Sequence, residues 1–455
     1  MIDTGGSRSI VRVIHLASVS RMASGGSPWK GYALVAIVIV IVLATTGVWN
    51  PWPRVWSWVN TSQPIAGDAA RWQQRIGGSP QSVAIAGEAV IVEYRTSVEA
   101  YGLTAGVKLW DSDADWASIA GDGKDAVVAT GRLLTNGYQV LDPGSGAVLR
   151  ADTEATAVWT YRNALLDLHC SKGSECRLTA WTPRGSKPLW TVDTGGIGFV
   201  LNAANPDLPD SRQLTADRVD DDVARPRQMP SLIGLPDDGQ IRVVDTATGR
   251  VAQTVRPAQD QRVALAGGRM LTVTGTPGDG TCYYSVVATD PPSPAAVWKR
   301  DGLNLRTADN GADCKQERDP AGGEDVLLGV DPVGREELLA AHDGRVLWHG
   351  AKGENVLGVN DSYAVIRDAG KSTLRGYAFA RGRTVWSRPA GENASAALTP
   401  YAAIIVSRKP DRVVAVAPGS GRVLADVRTG AEVFAAGPGG MIVVSGRDMA
   451  YLPWA

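Results

Sequence analysis

From residue 81 onward, short apolar runs alternate with polar turns. Within each run apolar and polar positions alternate, which is the period of a strand with one buried face. Helical spacing is nearly absent after residue 60. One phrase recurs: two apolar strands, a strand ending in a polar residue, a glycine-containing turn, then a short strand often closed by Trp. Its clearest copies are 138–149 (YQVLDPGSGAVL), 241–252 (IRVVDTATGRVA), 337–348 (ELLAAHDGRVLW), 374–386 (LRGYAFARGRTVW) and 413–424 (VVAVAPGSGRVL). Residues 177–190 and 284–298 match with longer turns. DPGSG and DTATG supply hairpin turns in which glycine takes a positive φ. A sheet of four short strands cannot bury its own face, whereas radial stacking of successive sheets buries all of them. The pattern therefore predicts an all-β fold, a β-propeller. About 375 residues at roughly 45 per blade give about eight blades, with seven as the alternative count. An open β-solenoid is the competing architecture.

The end of the chain predicts how the ring closes. Residues 432–452 hold three candidate strands, led by EVFAAG, MIVVSG and AYLP. Residues 71–76 (RWQQRI) stand alone before the first complete copy. They are expected to complete the last blade, with Trp72 as its closing residue. The propeller then occupies residues 69–455.

The first part of the chain has a different pattern. Residues 31–49 (GYALVAIVIVIVLATTGVW) carry no charge. As a helix they would span roughly 28 Å, close to the hydrocarbon core of a bilayer. Trp49, Trp52, Trp56 and Trp58 follow, as in an interfacial belt. Arg8, Arg12, Arg21 and Lys30 precede it against the single Asp3. The basic side stays in the cytoplasm. This predicts a cytoplasmic tail (1–30), a transmembrane helix (31–49), a linker (50–68) and an extracytoplasmic domain. The expected location is the inner (plasma) membrane, with a single pass. A cleaved signal peptide is the competing reading, but its apolar core would be shorter.

Composition narrows the function. Lys and Arg number 46 against 47 Asp and Glu, so no general cation excess favours nucleic acid as a partner. There are 15 Trp but only 3 Phe. A repeated indole wedged between neighbouring sheets explains that imbalance. The four cysteines, Cys170, Cys176, Cys282 and Cys314, all lie on the predicted external side, where disulfides persist. Cys170 and Cys176 flank a polar turn between two apolar strands, which predicts a bridge across a hairpin. Cys282–Cys314 follows by elimination. Redox CxxC spacing and zinc spacing are both absent.

The Asp–Gly–Trp pattern resembles the quinoprotein-like, or PQQ-like, propeller repeat. Asp245 and Gly249 match two of its elements, and Asp343, Gly344 and Trp348 match all three. The similarity covers about residues 81–454. It implies a propeller fold, and such repeats are specific for fold and weak for function. An outer-membrane assembly factor with a periplasmic propeller belongs to the same class. The high Ala, Gly and Arg usage and the anchor also resemble actinobacterial envelope proteins, such as a polar growth factor associated with mycolic-acid lipid export.

That resemblance raises an enzyme reading, which the residues support poorly. Residues 111–115 (DSDAD) resemble the start of a calcium loop but lack its later Gly and Glu. His169, His342 and His349 show no metal-ligand spacing, and His169 is expected to pack beside the disulfide. No metal and no cofactor are expected. Asp217, Arg218, Asp220, Asp221 and Asp222 cluster in a polar stretch, 206–230, that has little strand pattern. Long loops on a rigid frame often carry binding, so these residues form the candidate binding loop, with 306–323 beside it. The reading is a non-enzymatic, membrane-tethered scaffold in cell-envelope biogenesis or lipid transport. Its expected partner is an inner-membrane transporter or envelope-synthesis protein, with an envelope lipid as a second class of ligand. The alternative is an extracytoplasmic quinoprotein-like oxidoreductase or a glycan-processing enzyme.

Overall fold

Why these strands assemble as they do follows from their burial. The second strands of the blades, such as Ala89–Glu93 and Gly440–Ser445, are buried almost throughout. The outer strands, such as Lys108–Ser112 and Val148–Asp152, are mostly exposed. Each sheet therefore has a dry inner part and a wet outer edge, and only radial packing covers the inner part on both faces. The computed structural model describes residues 65–133, 135–171, 175–195, 227–258, 260–278, 281–305 and 325–455. Among them the strands form nine antiparallel sheets, and the molecule is a β-propeller.

The blades lie at 82–112, 116–152, 157–194, 232–255, 261–301, 326–349, 355–389, 395–427 and 432–453. Nine blades replace the expected eight. The estimate failed because the copies are compact. Inner strands at Ser82, Trp116 and Ala157 begin 34 and 41 residues apart, and those at Asn355, Ser395 and Glu432 begin 40 and 37 apart. Nine blades fit even though two long polar stretches, 206–230 and 306–323, also take up chain. The two three-stranded sheets, at 232–255 and 326–349, belong to the blades next to these excursions. In the sixth blade a single bridge, Asn304 to Val330, stands where the inner strand would run. Leu303 and Leu305 are buried on either side of it.

The ninth blade takes its outer strand from the other end of the chain. Trp72–Arg75 pairs antiparallel with Asp448–Pro453, with Trp72 opposite Tyr451. The hydrophobic cluster behind it joins Val433, Ile442 and Met449 of the ninth blade to Val83, Val90 and Ala100 of the first.

A repeated indole couples neighbouring blades. Trp110, on an outer strand, donates its Nε1–H to the carbonyl of Pro143 in the next blade at 2.8 Å. Trp190 does the same to Thr246, Trp298 to Ala341 and Trp386 to Pro418. Each acceptor sits at or beside the turn between the third and outer strands. Just before each of these Trp residues the pairing slips by one residue, for example between Ala100 and Tyr101 and between Ala288 and Thr289. Such bulges re-aim a side chain. At the junction from the second to the third blade Arg150 stands at the Trp position. Its guanidinium lies 4.5 Å from the Trp181 ring and donates to the Gly185 carbonyl at 2.6 Å.

The membrane span expected at residues 31–49 lies outside the described residues. Among the described residues no helix is long and apolar enough to cross a membrane.

Candidate functional site

Two concave regions are built from the turns and edges of the blades. The first lies on the face that carries the turns between inner and second strands. Gly87 and Glu88 of the first blade line it, with residues 121–124 and Ala126 of the second, Tyr401 of the eighth and Gly437 of the ninth. Its volume is about 430 Å³. Gly87, Gly121, Gly123, Gly144 and Gly437 are among its lining residues. Two ion pairs stand at its rim. Arg162 meets Asp122 at 3.1 Å, and Arg184 meets Asp142 at 2.8 Å. Partial burial pushes the Asp142 carboxyl up, but hydrogen bonds from Arg184 and Ser145 outweigh it and hold the group below its ordinary value. Lys124 projects at the edge and is exposed.

The second region is a larger cleft, about 900 Å³, beside the third blade. Its floor includes the Cys170–Cys176 disulfide. The two cysteines stand directly opposite each other at the end of a hairpin, as the polar turn between them implied. Asp167 and His169 are two residues apart on the strand Leu165–Cys170, so their side chains share one face. Asp152, at the end of the second blade's outer strand, approaches from the side. His169 Nε2 lies 3.2 Å from Asp152 Oδ2 and 3.9 Å from Asp167 Oδ1. Asp167 is fully buried, at 0% exposure. Its Oδ2 accepts from the Tyr138 hydroxyl at 2.7 Å and from Trp181 Nε1 at 2.9 Å. Its Oδ1 has no hydrogen-bond donor. Burial raises its pKa, against the opposing pull of Tyr138, His169 and Trp181.

The residues singled out in the sequence are distributed as follows. Trp72 is on the outer strand of the ninth blade and bonds to the first. Cys282 is disulfide-bonded, and Cys314 lies outside the described residues. Asp217, Arg218, Asp220, Asp221 and Asp222 also lie outside them. The Asp111–Asp115 stretch joins the first two blades. Asp111 pairs with Lys108, and Asp115 accepts from the Leu133 main-chain N–H. The His169 cluster was not legible in the spacing, because Asp152 comes from another blade. The one local signal was the alternation of Asp167 and His169 on a single strand face.

With the indole-linked blades and closed ring in view, the fold of the described residues is a nine-bladed β-propeller. Residues 284–445 match the family model described as outer membrane protein assembly factor BamB. No curated protein matches the sequence. Among solved structures, the chain is similar to BamB from Moraxella catarrhalis, at 15% identity and a TM-score of 0.33, over 77% of this chain and 94% of that one. It is similar to apo AztD from Citrobacter koseri at 11% identity and a TM-score of 0.38, over 80% and 98% of the two chains. It is also similar to quinohemoprotein alcohol dehydrogenase from Comamonas testosteroni, at 11% identity and a TM-score of 0.35, over 86% and 78%.

Proposed function

We propose that this protein is a binding propeller of the cell envelope. It is tethered to the plasma membrane through residues 31–49, with its ring outside the cytoplasm. On this reading it holds a protein of the envelope-synthesis or lipid-transport machinery against the face that bears the 430 Å³ depression. The observation that carries the reading is the construction of that face. Turns from the first, second, eighth and ninth blades converge there on a frame closed by Trp72, so the docking surface is preorganised and little ordering entropy is lost on binding. The match of residues 284–445 to an envelope assembly factor's family model supports the envelope setting. The tether would confine the search for a partner to the membrane plane and raise its effective concentration.

The test is in-cell crosslinking of the intact protein, followed by mass spectrometry of captured proteins and lipids. A specific envelope transporter or synthase should be enriched, and a reporter fused after Ala455 should be active only outside the cytoplasm. Reporter activity inside the cell, or a purified protein that turns over a substrate with no partner enriched, would reject the reading.

A further inference from the structure

We infer that Asp152, Asp167 and His169 form a divalent-cation site that ties the second blade to the third. The ligand atoms of the three residues lie within 4.8 Å of one another. Donors around a first-row divalent ion sit at about 2.0–2.2 Å from the metal, so neighbouring donors stand roughly 3–4 Å apart. The two measured separations, 3.2 Å and 3.9 Å, fall in that range. The second observation is the state of Asp167. One carboxylate oxygen is satisfied twice, by Tyr138 and Trp181, while the other is buried, undonated and turned toward His169. A buried carboxylate oxygen left without a partner is costly, and a cation at this point would supply the partner.

The chemistry of the donor set narrows the ion. One imidazole and two carboxylates suit zinc or manganese better than calcium, which takes six to eight oxygens. Three protein donors leave further positions, and the cluster borders the cleft through Asp152 and His169, so water or an anionic group from a ligand would complete the sphere. The other charged groups of the cleft are Glu154, Glu175, Arg177, Asp193 and Arg242. Of its cations, Arg177 is paired with Asp193 and Arg242 with Asp237. Arg150, on the second blade, is engaged with Gly185 and the Trp181 ring. At this junction, where Arg150 stands at the Trp position, a metal bridging Asp152 of one blade to Asp167 and His169 of the next would add a second link to the one Arg150 makes with Gly185.

The competing account is His169 held between the two aspartates with no ion. Metal titration of the full-length, tag-free protein separates the two. After chelator treatment, equilibrium dialysis against micromolar Zn²⁺ or Mn²⁺ should load one ion per chain and raise the thermal midpoint. His169→Gln and Asp152→Asn should each weaken loading by about tenfold or more. X-ray absorption of the zinc-loaded wild type should show one imidazole nitrogen among oxygen donors, a readout that does not depend on the variants folding. Absence of loading in the wild type, loading undiminished from wild type in both variants, or a spectrum with two or more imidazoles or with sulfur would overturn the site.

Discussion

The indole N–H of Trp72 donates to the main-chain carbonyl of Leu103 at 2.8 Å, joining the ninth blade to the first. It is the same contact that Trp110 makes with Pro143 between the first and second blades. The last junction of the ring, made by a strand from the opposite end of the chain, thus uses the device found inside it. Trp72 also stacks on Tyr451, with ring centroids 6.2 Å apart. Trp72→Ala removes the wedge and the hydrogen bond together, and should cost about 3 kcal/mol. Trp72→Phe, which keeps a ring and loses only the donor, should cost about 1 kcal/mol. Urea unfolding of the two variants checks the order.

The turns that receive these indoles require glycine. Gly146 has φ of 70°, and a Cβ there would approach Trp110 Cγ to 2.8 Å. Gly146→Ala therefore meets both the left-handed backbone and the ring. It should destabilise by about 1–2 kcal/mol from the backbone alone, and more from the displaced indole. Gly123→Ala has a positive φ, 54°, with nothing within 4 Å of its Cβ, and isolates the backbone part. A smaller loss for Gly123→Ala in thermal melts is the expected result.

The Cys170–Cys176 bridge closes a short loop. Chain entropy alone assigns it about 2 kcal/mol. The double variant Cys170→Ala/Cys176→Ala should lose roughly that amount. Reductant should lower wild-type stability, with the Cys282 bridge adding to the effect, and should lower that of the double variant less.

Glu99 predicts an acid-side sensitivity. Burial pushes its carboxyl up, but hydrogen bonds from Lys108, Tyr101 and Tyr94 outweigh it and hold the group below its ordinary value of 4.5. The unfolded chain therefore binds the proton more readily. Glu99 contributes stability above that value and loses it as pH falls through the folded-state pKa. Glu99→Gln should flatten the decline of stability on acidification, measured as melting midpoints from pH 7 down to about 3. The raised value of buried Glu93 acts in the opposite sense, weakening the fold as pH rises through its range.

Much of the fold was legible because its signals are local. Strand alternation, a glycine turn and a closing Trp all fall within a dozen residues, as at 337–348, and the cysteine hairpin spans seven. Blade number was not legible, since it depends on how much chain each copy spends outside its strands. The 306–324 excursion hides a blade whose inner position is reduced to the Asn304–Val330 bridge. The His169 cluster was hidden for a related reason. Register between blades brings Asp152 to His169, and no periodicity within one copy encodes it. Arg150 marked the place, as an arginine at the phase of a Trp, but its meaning depends on Trp181 and Gly185 across the junction.

The central claim, a propeller that binds its partner through the face with the depression, is tested most directly by position-specific photocrosslinking in the native cell. A photoreactive residue replaces Lys124, exposed on that face, or Lys371, exposed in a turn on the opposite face. The account predicts one discrete crosslinked envelope protein from position 124 and none from position 371. Equal crosslinking from both positions, or capture from 371 alone, would contradict it.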